Sequence, residues 1–183
     1  MKRIFDKIFK SKPDETHYDP TDIKITDIEN GYLFDYDLET WTVTQMCEYD
    51  WGKNYFSREF KIISKGKTRY LHIEEEDDLE ITIFEKIKFK DLDRGTRNHI
   101  KTYIKPPETI IFNNQTFELE EENPGYYRDV KNNDWEELIS FEYESDDQTL
   151  LTIEQWDEND IEVYFGKKLK GFEIDNILPN SNN

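Results

Sequence analysis

Acidic side chains are the groups in this sequence that could bind a cation or act in acid–base catalysis. They are most concentrated in two runs. The runs are Glu74–Asp78 and Glu154–Asp160. Clustered carboxylates can bind Ca²⁺, Mg²⁺ or a polyamine through their oxygens, or they can simply form a solvated turn. Neither run has a glycine at its sixth position, which a calcium-binding loop requires. We therefore favour the solvated turn and expect no metal site.

A pair of carboxyl groups could also act as general acid and general base, as in glycoside hydrolysis. One group would need a raised pKa and would have to face the other across a cleft. Glu74 and Glu154 are conceivable partners, since each begins one of the acidic runs. The chain has 42 acidic residues, so a suggestive pair is bound to occur. An enzyme of this kind is the third of our three functional hypotheses.

Nucleophilic, zinc and phosphate-binding sites have no support in the sequence. His17, His72 and His99 lie far apart, and no His-x-x-x-His or mixed Cys-His spacing occurs. The single Cys47 stands among aromatic residues, where a buried and unreactive thiol is common. The seven glycines are scattered singly, so they form no phosphate-binding loop. We expect no catalytic residue, no metal ligand and no cofactor.

Two tryptophans are candidates for binding a partner. Trp51 and Trp156 stand at turns or at the ends of predicted strands. Exposed aromatic rings beside carboxylates can hold an amine or ammonium group through cation–π contacts. Buried rings in the same places would fill a core or plug a barrel. Both interpretations stay open at the level of sequence.

The first 12 residues differ in charge and pattern from the rest of the chain. They contain five basic side chains and one acidic one, whereas the whole chain has a net charge of −18. Their apolar residues recur with helical spacing, which predicts a short basic amphipathic helix. This helix would bind an anionic membrane or an apolar groove on a partner, or it would dock on the protein's own β surface. Its candidate binding residues are Lys2, Arg3, Ile4, Phe5, Lys7, Ile8 and Phe9.

The charge and the cysteine content narrow the class of protein. A chain with 24 basic and 42 acidic side chains repels phosphates over most of its surface, which disfavours nucleic acid as a partner. Cys47 cannot form an internal disulfide, and no signal-peptide pattern or membrane-spanning apolar run occurs. We expect a cytoplasmic protein, either free or peripheral to the inner membrane.

The elements that must position these side chains are mainly β-strands. The sequence contains no alanine, the strongest helix former, and from Gly31 onward apolar and polar residues alternate with a period of two. Short turns between the alternating stretches favour antiparallel hairpins. The predicted strands are Tyr32–Tyr36, Thr40–Tyr49, Tyr55–Ile63, Thr68–Glu74, Leu79–Phe84, Thr109–Phe112, Thr116–Glu122, Tyr126–Val130, Trp135–Tyr143, Thr149–Trp156, Ile161–Phe165 and Gly171–Ile174.

The strands fall into two sets that resemble each other. Leu71, Ile73 and Glu74 match the identical Leu151, Ile153 and Glu154 when the sequence is shifted by 80 residues. The in-phase matches predict two copies of one β unit, with the isoleucines facing inward and the glutamates facing outward. The predicted division is a helix at 1–12, a linker at 13–30, β units at 31–90 and 107–178, a linker with a short helix at 91–106, and a disordered tail at 179–183.

Several segments resemble a bacterial family of uncharacterised proteins, domain-of-unknown-function family 4178. In the first half they are Cys47–Ile62, CEYDWGKNYFSREFKI, and Tyr70–Ile83, YLHIEEEDDLEITI. In the second half they are Leu150–Trp156, LLTIEQW, Phe165–Lys168, FGKK, and Ile174–Pro179, IDNILP. The resemblance implies a fold, in two tandem copies, and a bacterial setting. It implies no catalytic residue, because the family has no assigned activity.

The sequence thus predicts a mostly β protein made of two related antiparallel meanders, each a half-open barrel or sandwich. A short N-terminal helix and a short linker helix complete it. For function we favour a non-enzymatic binding or scaffold module for a cationic or membrane-associated partner. The second hypothesis is an acidic immunity or inhibitor protein that mimics the charge of nucleic acid.

Overall fold

The alternation of apolar and polar residues becomes a set of antiparallel strands. The computed structural model describes residues 23–75, 78–132 and 134–179. Within them the chain forms eleven β-strands, one α-helix and three 3₁₀-helices. The strands are β1 (Leu33–Tyr36), β2 (Glu39–Gly52), β3 (Tyr55–Ser64), β4 (Lys67–Glu75), β5 (Leu79–Ile87), β6 (Thr109–Phe112), β7 (Gln115–Asp129), β8 (Glu136–Ser145), β9 (Thr149–Gln155), β10 (Ile161–Leu169) and β11 (Ile174–Leu178); the α-helix is α1 (Arg94–Tyr103), and the 3₁₀-helices are Ile25–Asp27, Phe89–Asp91 and Gly171–Glu173.

Eight of these strands close a barrel. The sheet order is β11-β1-β2-β3-β4-β5-β10-β9-β8-β7-β6, and β2 also pairs with β7. The mostly β prediction is confirmed, but the two meanders are not separate half-open units. Each four-stranded meander alone would leave unpaired backbone groups on two edges. The β5–β10 and β2–β7 pairings satisfy those groups, which is why the two halves form one closed barrel.

The apolar faces of the strands lie on the outside of the barrel, where flanking elements cover them. On the first half, Phe60 and Ile73 belong to a cluster that Ile28 and the strands β1 and β11 bury. On the second half, Phe141 and Ile153 belong to a cluster that Leu92, Ile100 and Ile110 bury, from α1, β6 and the chain before them. Burying large aliphatic and aromatic side chains in this way is the main source of stability. The molecule therefore has two hydrophobic cores outside the barrel.

In the long strands β2 and β7, a β-bulge changes which side chains face an outer core and which face the barrel interior. The register shifts between Val43 and Gln45 in β2, and between Leu119 and Glu121 in β7. A bulge adds one residue to one strand and so changes which side chains face which side. Val43 accordingly faces the first core, whereas Tyr49, six positions later, faces the barrel interior.

One predicted turn is absent from the structure. The predicted strands Thr116–Glu122 and Tyr126–Val130 place a turn at 123–125, but β7 continues through these residues, and Pro124 is registered with Ile139 of β8. Proline cannot donate a ladder hydrogen bond, so it fits a strand only where its nitrogen faces an unpaired side. The β2–β7 pairing begins only at Tyr126, which leaves that side of Pro124 unpaired.

The segment between the two meanders contains the predicted short helix. The side chain of Asp93 caps α1 by accepting a hydrogen bond from the Thr96 backbone N–H at 3.1 Å, and Ile104 ends it in a left-handed conformation. The predicted strand at Gly171–Ile174 is instead a 3₁₀-helix, and β11 begins only at Ile174. The predicted N-terminal helix lies outside the described residues.

The two meanders occupy equivalent places in the barrel. Leu71–Glu74 lies on β4 and Leu151–Glu154 on β9, and each is the third barrel strand of its meander. Equivalent places in one barrel do not by themselves show that one half arose from the other. Duplication of one β unit therefore stays a prediction.

Candidate binding site in the barrel lumen

The polar faces of the barrel strands line its interior, which we call the lumen. On β4, for example, Leu71 and Ile73 are buried in the first core, whereas His72 and Glu74 line the lumen. The main cavity there has a volume of about 410 Å³ and receives side chains from every barrel strand. Its basic side chains are His72 and Lys168. Its carboxylates are Glu59, Glu74, Glu80, Glu120, Glu121, Glu142, Glu144 and Glu154.

A smaller cavity of about 120 Å³ continues the lumen. It shares Tyr49, Glu59, Glu154 and Tyr164 with the main cavity. These four side chains therefore stand where the two cavities meet. Because both cavities touch them, they would contact any ligand that enters deeply from either end.

Glu59 and Glu154, which we call the central pair, are the least solvated carboxyl groups of the lumen. Glu59 is 9% exposed and Glu154 is 6% exposed. Neither forms a salt bridge with any described residue, and Glu154 accepts a hydrogen bond from the Tyr49 hydroxyl at 2.9 Å. Burial raises the pKa of both carboxyl groups, and the negative charge of Glu154 raises that of Glu59 further. A buried carboxylate needs a proton or a cation.

A second acidic pair in the main cavity, Glu74 and Glu142, is less buried than the central pair. Burial raises the pKa of Glu142 to about 7, and repulsion from Glu74 contributes to this shift. The side-chain amide of Asn123 donates to Glu142 at 3.4 Å, and the Tyr55 hydroxyl donates to Glu74. Lys168, the lysine of this cavity, is paired with Glu80 at 3.1 Å. Glu142 therefore forms no salt bridge with a described residue, whereas Glu74 has the His72 imidazole beside it, with Nδ1 3.7 Å from Oε1 of Glu74 and a pKa that burial lowers.

Aromatic rings form a continuous row along the β2–β7 seam. Trp51 stacks on Tyr49 with ring centroids 5.1 Å apart, and Tyr49 contacts Tyr127 at 5.2 Å. Tyr127 in turn contacts Trp156 at 5.0 Å. An added Cβ at Gly125 would lie 2.5 Å from Cε3 of Trp51. The indole of Trp51 therefore packs directly against the backbone of β7 at this glycine. The row places aromatic surface against the carboxylates of the lumen.

Cys47 and His72 lie close to this row. The Cys47 thiol is buried, and its sulfur lies 2.9 Å from the Tyr127 hydroxyl. Burial raises the pKa of Cys47 to about 12, so it stays a thiol at neutral pH. Burial lowers the pKa of His72, whose Nε2 lies 2.7 Å from the Ser57 hydroxyl. Cys47 is therefore an uncharged buried contact of the aromatic row, and His72 is the basic residue of the lumen whose charge burial disfavours.

The residues singled out in the sequence have different places in the structure. Trp51 and Trp156 are the two ends of the aromatic row, and Glu74 and Glu154 line one cavity. The expectation that Glu154 points outward is wrong, because the polar faces of the strands are the concave ones. The N-terminal candidates lie outside the described residues: Lys2, Arg3, Ile4, Phe5, Lys7, Ile8 and Phe9.

Sequence reasoning missed Tyr49 and the carboxylate Glu59 of the central pair. Tyr49 and Tyr127 face each other as a register pair, but 78 residues separate them in the chain. Glu59 stands between the buried Ser57 and the partly buried Lys61 in a polar alternation. That alternation marked one face of β3, and it gave no indication that the face is enclosed.

The fold and the site define the protein as a closed antiparallel β-barrel with a polar, acidic lumen. Residues 29–171 match the model of a domain of unknown function (DUF4178), and the chain therefore belongs to this family. One match spans both meanders, so it shows one domain of the family, and two tandem copies stay a prediction.

A relative in Aquifex aeolicus (strain VF5) is an uncharacterized protein. It is 29% identical over 179 residues, which cover 98% of this chain and 96% of the relative. No solved structure matches the chain. Among the described residues, no helix is long and apolar enough to cross a membrane.

Proposed function

We propose that the protein is a non-enzymatic binding module whose lumen receives the cationic group of a partner. The observation that carries this proposal is the central pair, two carboxyl groups more than nine-tenths buried with no salt bridge to a described residue. A positively charged group between them would supply the missing partner. The remaining carboxylates of the cavity would attract it toward the lumen.

The walls of the lumen suit an organic cation. Tyr49 and Tyr164 stand beside the central pair, and the indole of Trp51 extends the aromatic surface toward the main cavity. Ammonium and guanidinium groups are stabilised by aromatic faces as well as by carboxylates. In the described part of the chain, no three histidine, cysteine or acidic side chains converge on a point that could hold a metal ion. Carboxylates spread along a cavity favour an extended cation.

The central pair supports binding more than hydrolysis. Glycoside hydrolysis needs one ionised carboxylate and one protonated carboxyl group at the same pH. Burial raises the pKa of both Glu59 and Glu154, and neither has a salt bridge to a described residue that would hold it ionised before a ligand binds. The pair is therefore suited to binding a ligand that brings its own positive charge.

Calorimetric titration tests this proposal with simple probes. n-Butylammonium and guanidinium should bind at neutral pH, whereas butyrate, an anion of similar size, should not. Glu154→Gln should weaken the binding of both cations about tenfold, the usual loss for a hydrogen bond to a charged group. Glu85→Gln is the matched control, because Glu85 is exposed and lines no described cavity.

The proposal fails if neither cation binds, or if Glu154→Gln and Glu85→Gln bind them equally well. Glu59→Gln provides a second test of the same pair if Glu154→Gln unfolds. Circular dichroism on each variant shows whether the barrel is intact.

Attachment to a membrane or to a protein complex is a separate part of the proposal. It depends on the basic, apolar segment 1–12, which lies outside the described residues. The charge pattern of that segment, five basic side chains against one acidic one, supports this part.

A further inference from the structure

We infer that the ligand of the lumen is a linear aliphatic oligoamine. Its successive ammonium groups lie beside carboxylates at successive levels of the lumen, where one level means one register pair of neighbouring strands whose side chains face the lumen. This inference rests on the proposed function and deepens it, because it names the ligand class. It depends on how the carboxylates are spaced along the lumen, which the strand registers define.

One wall of the lumen carries carboxylates at three levels. Glu154, Glu142 and Glu144 all line the main cavity. Two residues along a strand advance about 6.6 Å, so neighbouring levels are separated by about that distance. The register pairs that define the levels are Glu154 with Ser140, Thr152 with Glu142, and Leu150 with Glu144.

The opposite wall repeats the two deeper levels. Glu59 is registered with His72, and Ser57 with Glu74, so Glu59 and Glu74 also lie one level apart. Glu59 and Glu154 line both cavities, whereas Glu74 and Glu142 line the main cavity and not the smaller one. The deep level therefore holds Glu59 and Glu154, and the next level holds Glu74 and Glu142.

This spacing matches amines with short methylene spacers. Three or four methylenes separate two ammonium groups by about 5 to 6 Å, given bond lengths near 1.5 Å. An oligoamine of this kind places one charge between the central pair and the next charge between Glu74 and Glu142. A compact dication would satisfy only one level.

The cavity also offers apolar surface for the methylenes between the charges. Phe84 and Leu150 line the main cavity together with Tyr49 and Tyr164. Its volume of about 410 Å³ is at the small end of the range for ligand sites, which fits a thin chain. A lysine side chain from a partner protein would bring a single ammonium group and leave the second level empty.

A series of amines tests the inference by calorimetry at constant ionic strength. The probes are n-butylamine, 1,2-diaminoethane, 1,4-diaminobutane and a triamine with one three-methylene and one four-methylene spacer. 1,4-Diaminobutane should bind about tenfold more tightly than n-butylamine and 1,2-diaminoethane, since it adds one charge-assisted contact at the right distance. The triamine should bind more tightly still.

Two outcomes of the series differ in what they overturn. Equal affinity of n-butylamine and 1,4-diaminobutane overturns the oligoamine inference and leaves the proposed function intact. No binding by any amine overturns both.

Substitution at single levels sharpens the test. Glu142→Gln should remove most of the advantage of 1,4-diaminobutane and leave the affinity for n-butylamine unchanged. Glu154→Gln should weaken both, and Glu85→Gln should change neither. If Glu142→Gln weakens both amines equally while circular dichroism shows an intact barrel, the two-level arrangement is wrong.

Discussion

At the scale of single residues, an ionised carboxylate in the lumen is energetically costly, because it is removed from water. Glu59, Glu142 and Glu154 are removed from water without a basic partner in the described structure, and burial raises the pKa of each. In the absence of ligand, protonation relieves this cost. The same groups that would bind a cation therefore make the empty protein sensitive to pH.

The sensitivity to pH has a definite sign for Glu142. Its pKa in the folded protein is about 7, against a usual value of 4.5. Between these values the folded state binds more protons than the unfolded state, so the free energy of unfolding falls as the pH rises. The contribution of proton binding by Glu142 to the free energy of unfolding is complete below the usual pKa of 4.5 and is lost as the pH passes through about 7. Its size is on the order of 1–3 kcal/mol.

Glu142→Gln, which resembles the protonated state, should flatten this part of the stability profile. Urea unfolding at a series of pH values measures the slope, and Glu85→Gln should keep the slope of the unmodified protein. If Glu142→Gln leaves the slope unchanged, Glu142 does not titrate as its burial implies.

At the scale of elements, the strands and their two faces could be predicted from the sequence, but the direction of curvature could not. Ile73, Ile81, Ile153 and Val163 are buried as their alternation predicted. Alternation shows that two faces differ, and it does not show which face is concave. The enclosed polar face arises because β1, β6, β11 and α1 cover the apolar face from outside. Those covering contacts depend on long-range pairing that periodicity does not encode.

The candidate site was predictable only in part for the same reason. Trp51, Trp156, Glu74 and Glu154 stood out because each is a conspicuous residue in a turn or an acidic run. Glu142 belongs to no such run, and its significance comes from its place in the lumen beside Asn123. Such a position follows from strand register, which depends on the bulges in β2 and β7.

The β5–β10 pairing provides a second prediction at this scale. Gly166 is registered with Phe84, and an added Cβ there would lie 2.2 Å from the Ile83 carbonyl oxygen. Gly166→Ala should therefore destabilise the protein by about 1–3 kcal/mol, as overpacking usually does. Denaturant titration measures the change. Gly171→Ala is the matched control, since nothing lies within 4 Å of its added Cβ; equal effects would contradict the close approach of the two strands.

At the scale of the whole molecule, the acidic body contrasts with its basic N-terminal segment. The net charge of −18 opposes attachment to an anionic surface, but screening limits that repulsion to about 8 Å at physiological salt. A segment with five basic residues and four apolar ones can add weak, salt-sensitive attraction.

Vesicle sedimentation tests the segment directly. The full chain should sediment with vesicles rich in anionic lipid at low salt and should be released at high salt, whereas a chain lacking residues 1–12 should stay in the supernatant. If neither chain sediments, attachment to a membrane is excluded. A large fall in melting temperature on deletion would show instead that the segment docks on the barrel.

The placement of the two cores outside the barrel has a consequence for how such proteins can diverge. In a barrel packed with aliphatic side chains, each inward substitution changes the packing on which the fold depends. Here Phe60 and Phe141 pack on the outer faces, and the lumen side chains contribute little to those cores. If the lumen binds a ligand as proposed, ligand preference and the packing of the two cores depend on opposite faces of the same strands. Substitutions in the lumen could then change the ligand from one relative to the next while the packing of both cores is kept.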